Sequence, residues 1–219
     1  FQSWATRYRD EAGVNQALVL AGGVSEPKGA FHSSMQLLET GVFDKAGYTR
    51  LHVAGHPEGN RDIDADGGER VVMEALAWKQ AFRERSDAEM AIATQFAFEA
   101  EPVIAWADRV AAAGIDLPIH IGAAGPAKLQ TLIKFAIACG VGPSLRVLQR
   151  RARDVTKLVT PFTPTDFLTA LARHKAAHPG FGIAAVHLFP LGGIAASAEW
   201  LATQRAGETG PVPAHANRP

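Results

Sequence analysis

Leu51-His52-Val53-Ala54-Gly55-His56-Pro57-Glu58-Gly59-Asn60 is a short apolar run that stops abruptly in glycine, histidine, proline and acid. Such a run, bounded by turn formers, is the pattern of a strand buried on both faces of a parallel sheet. The same pattern recurs at Ala17-Leu18-Val19-Leu20-Ala21, Met90-Ala91-Ile92-Ala93-Thr94, Pro118-Ile119-His120-Ile121 and Ile183-Ala184-Ala185-Val186-His187-Leu188-Phe189.

Amphipathic stretches fill the intervals. Glu69 to Arg85 carries Val72, Ala75, Leu76 and Phe82 on one helical face. Pro102 opens a helix with Val103, Trp106 and Val110 inward and Gly114 as its stop, and Pro126 opens another through Leu129, Leu132, Ile133 and Ala136, stopped by Gly140. Thr163-Pro164-Thr165-Asp166 gives an N-cap, a proline at the first helical position and an acid in the first turn. Strands alternating with helices predict an α/β fold with a parallel sheet.

Phe1, Trp4, Tyr8 and Ala12 follow helical spacing and lead through Gly13 into the first strand, so the chain is expected to start within a βα unit. Residues 1–204 are expected to form one N-terminally incomplete domain, and the aperiodic residues 205–219 a mobile tail.

The 22 Lys and Arg balance the 22 Asp and Glu, so no excess charge points to nucleic acid or an anionic membrane. One cysteine, Cys139, excludes an intrachain disulfide and a cysteine-based zinc cluster. With no apolar run of membrane-spanning length and no signal peptide, a cytoplasmic location is expected.

In parallel α/β folds ligands sit at the carboxyl ends of the strands. Those ends read Ala21-Gly22-Gly23, Ala54 to Asn60, Thr94-Gln95, Ile121 to Pro126 and Phe189 to Gly193. Gly125-Pro126 and Gly192-Gly193 could offer N–H groups to a phosphate, although neither matches a phosphate-binding fingerprint. Asp62-Ile63-Asp64-Ala65-Asp66-Gly67 looks like the start of a calcium loop, but its twelfth position is Met73 rather than the required Glu. These acids are instead expected to cap the helix that follows, and no metal site is expected. His52, His120 and His187 lie inside strands, His174 and His178 on a helix. His56 differs, because it ends a strand beside Glu58, where it can do acid–base work or orient a ring. Gln95 also ends a strand, and its amide matches the donor–acceptor edge of a pterin, flavin or nucleobase.

Three stretches together resemble the methylenetetrahydrofolate reductase family: Leu51 to Asn60, Ala93-Thr94-Gln95-Phe96-Ala97-Phe98-Glu99, and Val186-His187-Leu188-Phe189-Pro190-Leu191. The resemblance implies a (β/α)8 barrel, here with about five strands and flanking helices. It also implies reduction of 5,10-methylenetetrahydrofolate to 5-methyltetrahydrofolate by NAD(P)H, with FAD across the barrel mouth. Gln95 falls where the family holds the pterin, and Leu129 and Phe189 fall at the folate. His56 falls where a tyrosine contacts the flavin and Asn60 where a nearby histidine stands; Gly22, Gly23, Ala54 and Glu58 complete the implied flavin site.

The sequence departs from the family at Gly23, where an aspartate faces the flavin, at Ala81, where a lysine stands, and at Gly192-Gly193, in place of Asn-Arg. The family's general-acid glutamate belongs to a first strand, upstream of Phe1, so no catalytic residue is assigned. The flavin is therefore conditional, with direct hydride transfer from nicotinamide as its replacement. The alternative is a non-catalytic folate-binding protein or a tetrahydrofolate-linked methyl-transfer partner. Folate and nicotinamide are the expected partners, a homo-oligomer is allowed, and neither nucleic acid nor membrane is expected.

Overall fold

The structure, a computed structural model, describes residues 1–21, 27–60, 63–64, 68–139, 142–152 and 161–208. Five strands, β1 (Gln16–Val19), β2 (Arg50–Gly55), β3 (Glu89–Ala97), β4 (Ile119–Ala124) and β5 (Ile183–Phe189), form one sheet in sequence order. Every neighbouring pair is parallel. The helices are α1 (Gln2–Ala12), α2 (Ser34–Glu39), α3 (Val42–Lys45), α4 (Arg70–Phe82), α5 (Ala100–Ala112), α6 (Leu129–Ala138), α7 (Gly142–Ala152), α8 (Thr165–Ala177) and α9 (Ile194–Glu208).

Parallel neighbours in sequence order require a crossover after each strand, and right-handed crossovers carry their helices to one side. The core follows that rule. Leu51, Val53, Met90, Ile92, Ile119, Ile121 and Ile183 form one sheet face, in a single apolar cluster with Leu38, Leu76, Trp106 and Phe167 from the helices. The opposite face carries Leu18, His52, Ala54, Ala91, Ala93, His120, Ala185 and His187 by register. β2 therefore alternates partly exposed and buried along its whole length, although its sequence is almost uniformly apolar. A second apolar cluster at the carboxyl edge joins Phe96, Phe98, Ala124 and Phe162 to Leu129 and Leu132 of α6 and Leu148 of α7.

The strands and most helices lie where sequence periodicity puts them, with several differences at the ends. α5 begins at Ala100, so Pro102 sits inside the first turn, where its missing N–H costs no helical hydrogen bond. α6 begins three residues after Pro126, and α8 takes Pro164 rather than Thr163 as its cap. α1 lies where the Phe1–Trp4–Tyr8 spacing predicts a helix; Trp4 is 53% and Tyr8 45% exposed with their rings packed on each other, while Phe1 packs on Phe43 and Ala5 faces the core. Gly13 closes α1 in the left-handed region, at φ 63°. Residues 205–208 continue α9 instead of starting a tail, and 209–219 lie outside the described residues.

Asp64 bears out the capping role expected of its acidic cluster. Its Oδ2 accepts from the Val71 and Val72 N–H groups at 2.9 and 3.2 Å, satisfying two donors at the start of α4.

Gly122 brings two backbones of the sheet into close approach. A Cβ built there would stand 2.5 Å from the backbone oxygens of both Thr94 and Gln95. No rotamer change relieves a clash with backbone. Gly122→Ala is expected to destabilise the fold by about 2–3 kcal/mol, the range for overpacking a rigid site, and to lower the melting temperature by roughly 5–10 °C. An unchanged thermal melt would show that β3 and β4 are not in this register.

Candidate functional site

β3 and β4 lose register between Ala93 and Phe96. Within that irregularity the Gly122 N–H donates to Thr94 Oγ1 at 2.8 Å, and the Thr94 hydroxyl donates to the Gln95 carbonyl at 2.8 Å. A side chain thus occupies the place of a ladder partner. The bulge sets Gln95 at the carboxyl edge, half-buried, while Thr94 is buried. Gln95 Nε2 donates to the carbonyl of Cys139, the residue that caps α6, at 3.3 Å.

His56 follows the end of β2 and shares a hydrogen bond with the Gln95 side chain. Its Nδ1 lies 3.5 Å from Asn60 Nδ2. Burial, and then the positive charge of Lys79, push the His56 imidazole down to about 4, against the opposing pull of the Gln95 bond. His56 is therefore neutral at physiological pH, with one ring nitrogen donating and the other accepting. Gln95, His56 and Asn60, which the sequence singled out separately, form one polar group across the ends of β2 and β3.

Lys79 is the residue that sequence reasoning missed. It belongs to the sheet-facing stripe Val72, Leu76, Lys79, Phe82 of α4 and is 5% exposed. Among the described residues no carboxylate pairs with it. Burial brings its ammonium down to about 8. The missed signal was a lysine on the apolar stripe, at i+3 from Leu76 and i−3 from Phe82.

The remaining expected positions fall differently. Glu58 binds α7: its carboxylate accepts from the Ser144 N–H at 2.9 Å and from the Ser144 hydroxyl. Burial raises the Glu58 carboxyl, and the two Ser144 bonds oppose the rise. Ala54 lies on the helix-free face, one pleat below His56, beside Ala93. Leu129 is 3% exposed inside the carboxyl-edge cluster, so it packs beneath that edge and presents no surface to a ligand. Phe189 ends β5 half-buried, edge-on to Phe96 at 5.7 Å and to His187 at 4.8 Å. Gly22 and Gly23 lie outside the described residues. The N–H groups of Gly125 and Gly193 are engaged by the carbonyls of Phe189 and Pro190, so these two form no phosphate cradle.

α7 closes one side of this edge. Besides Glu58–Ser144, Arg150 pairs with Glu99 at 2.8 Å, tying the helix to the loop after β3. Among the described residues no group of three or more His, Cys, Asp or Glu is arranged to hold a metal ion, and no helix is long and apolar enough to cross a membrane. No protein-family model matches the chain.

Lys79 gives a stability test. Its folded value lies below the ordinary 10.5, so the unfolded chain binds the proton more tightly. The resulting cost is absent above pH 10.5 and complete once pH falls through about 8. Lys79→Met is expected to raise stability at pH 7 by roughly 1–3 kcal/mol, and to narrow its lead over the parent in urea melts at pH 10. An equal gain at both pH values would place the ammonium in solvent.

Proposed function

We propose that the chain is part of a (β/α)8 barrel of the methylenetetrahydrofolate reductase type, and that the mouth around Gln95 binds a reduced folate. The supporting observation is the joining of Gln95, His56 and Asn60 into one neutral hydrogen-bonding group at the carboxyl edge. In-order parallel strands with helices on one face are the arrangement of a barrel wall, and the edge is where barrels bind ligands.

Gln95 supplies both a donor and an acceptor, which suits the amino–oxo edge of a pterin. Neutral His56 orients Gln95 without placing a second cation beside Lys79. Ala54, small and partly exposed, gives a flat ring a surface to rest on.

The residues present also fit a flavin. Lys79 is a buried cation without a described acidic partner, as an anionic group on a cofactor would require. The resemblance reads Ala81 where the family has lysine. Lys79, two residues earlier on the same helix, is a buried lysine that supports this reading. His56, Asn60 and Lys79 would hold the flavin, with Ala54 beneath it. A bound flavin would supply the hydride carrier between NAD(P)H and the folate methylene; the protein would position folate through Gln95 and keep water from the mouth with the Phe96–Phe98–Phe162 cluster.

A second reading, a folate-binding protein or methyl-transfer partner without reductase activity, draws support from Glu58. Both of its oxygens face Ser144, so this carboxylate is committed to α7 and is poorly placed as a general acid.

Methyltetrahydrofolate is expected to bind the purified protein, and Gln95→Ala to weaken binding about 10- to 100-fold, as expected when a buried polar edge loses its partner. NADH oxidation dependent on methylenetetrahydrofolate would select the reductase, and tight binding without turnover the second reading. Equal binding by Gln95→Ala would remove the folate site from this edge.

A further inference from the structure

His52 and His120 stand on β2 and β4, two strands apart and about 10 Å from backbone to backbone. Their rings nevertheless meet. His52 Nε2 and His120 Nδ1 are 3.0 Å apart and the centroids 4.8 Å apart. The residues beneath them on β3 make this possible: Ala91 pairs with His52 and Ala93 with His120. Larger side chains at those positions would fill the space the rings cross.

The place they bridge is where the sheet's ladder is least regular. β3 and β4 lose register just after the Ala93–His120 pair, and β4 and β5 lose it between Ile119 and His120. His120 therefore sits beside an interruption in the pairing to each neighbour, and Gln95 lies within the first of them. We propose that the His52–His120 pair is a proton-sensitive clamp across β3, which fixes the irregular stretch that presents Gln95 and releases it when both rings are protonated.

Two neutral rings share one N–H···N bond, and a first added proton keeps it as imidazolium to imidazole. A second added proton makes both rings imidazolium, in contact, and removes the acceptor. The surroundings offer little to offset that repulsion. On β2, Arg50 lies below the pair and neutral His56 above it; on β5, His187 is the nearest titratable group. β1 contributes only Gln16 and Leu18 to this face. Glu89 at the start of β3, the carboxylate on this face among the described strand residues, already pairs with Arg50 at 2.6 Å. Burial holds both imidazoles below their ordinary 6.5, assisted for His52 by neighbouring His120 and for both by Arg50 and His187. A depressed histidine gives stability that is present above pH 6.5 and is lost as pH falls through the folded value. The clamp therefore holds at neutral pH and weakens with acid.

Amide exchange at Gln95, Phe96 and Gly122 tests this without any ligand, so its outcome is independent of the folate reading. Protection factors in the native protein are expected to fall about tenfold from pH 7 to pH 5 as the clamp opens. In His120→Gln they should start lower and change less than about twofold, since the variant lacks the second ring. Equal protection at the two pH values in the native protein, or the same fall in the variant, would overturn the clamp. Ring titration of the native protein by NMR decides the matter even where the variant does not fold. Two coupled steps below 6.5 are expected, and two independent steps at the ordinary value would refute the proposal.

Discussion

The contact between β3 and β4 at Gly122 governs the carboxyl edge. Two backbone oxygens of β3 occupy the space where any side chain on residue 122 would begin, so the strands approach only because that residue is glycine. The close approach lets Thr94 receive the Gly122 N–H and turn its own hydroxyl to the Gln95 carbonyl. The bulge that follows sets where the Gln95 amide stands. Gln95 then orders His56, and His56 brings Asn60 into the group. Each step depends on the one below it, so the edge is built from the sheet outward rather than from a flexible loop.

The sheet itself is asymmetric. Placing the strands in sequence order commits the helices and the large aliphatic side chains to one face. The other face carries alanines, histidines and the exposed Leu18. Small residues there let His52 reach His120 across a strand. Lys79 is the counterpoint, a charge held on the aliphatic side, where its burial costs stability unless an anion approaches.

Much of this was legible in the residues. The apolar runs marked all five strands, because a parallel strand between turn formers is a strong local pattern. Gln95 and His56 stood out because polar groups at strand ends have few structural duties. Three things were hidden. The alternation of β2 was masked because its open face carries His52 and Ala54, neither of which breaks an apolar run. Glu58 read as a ligand contact, since nothing local announces that Ser144, 86 residues away, needs a carboxylate. Lys79 was passed over because a lysine on a helix is ordinarily solvated, and only packing shows that this one is not. The helical spacing of Phe1, Trp4 and Tyr8 marked α1, but not that Phe1 alone would pack on core Phe43 while Trp4 and Tyr8 cover each other.

The central claim is that a reduced folate is recognised at the edge by the Gln95 amide. The most direct measurement is the side-chain NMR spectrum of Gln95 and His56 during titration with 5-methyltetrahydrofolate. Saturable shifts of the Gln95 Nε2 protons and of the His56 ring nitrogens, larger than those anywhere else on the chain, are predicted. Saturation that leaves both residues unmoved would contradict the account.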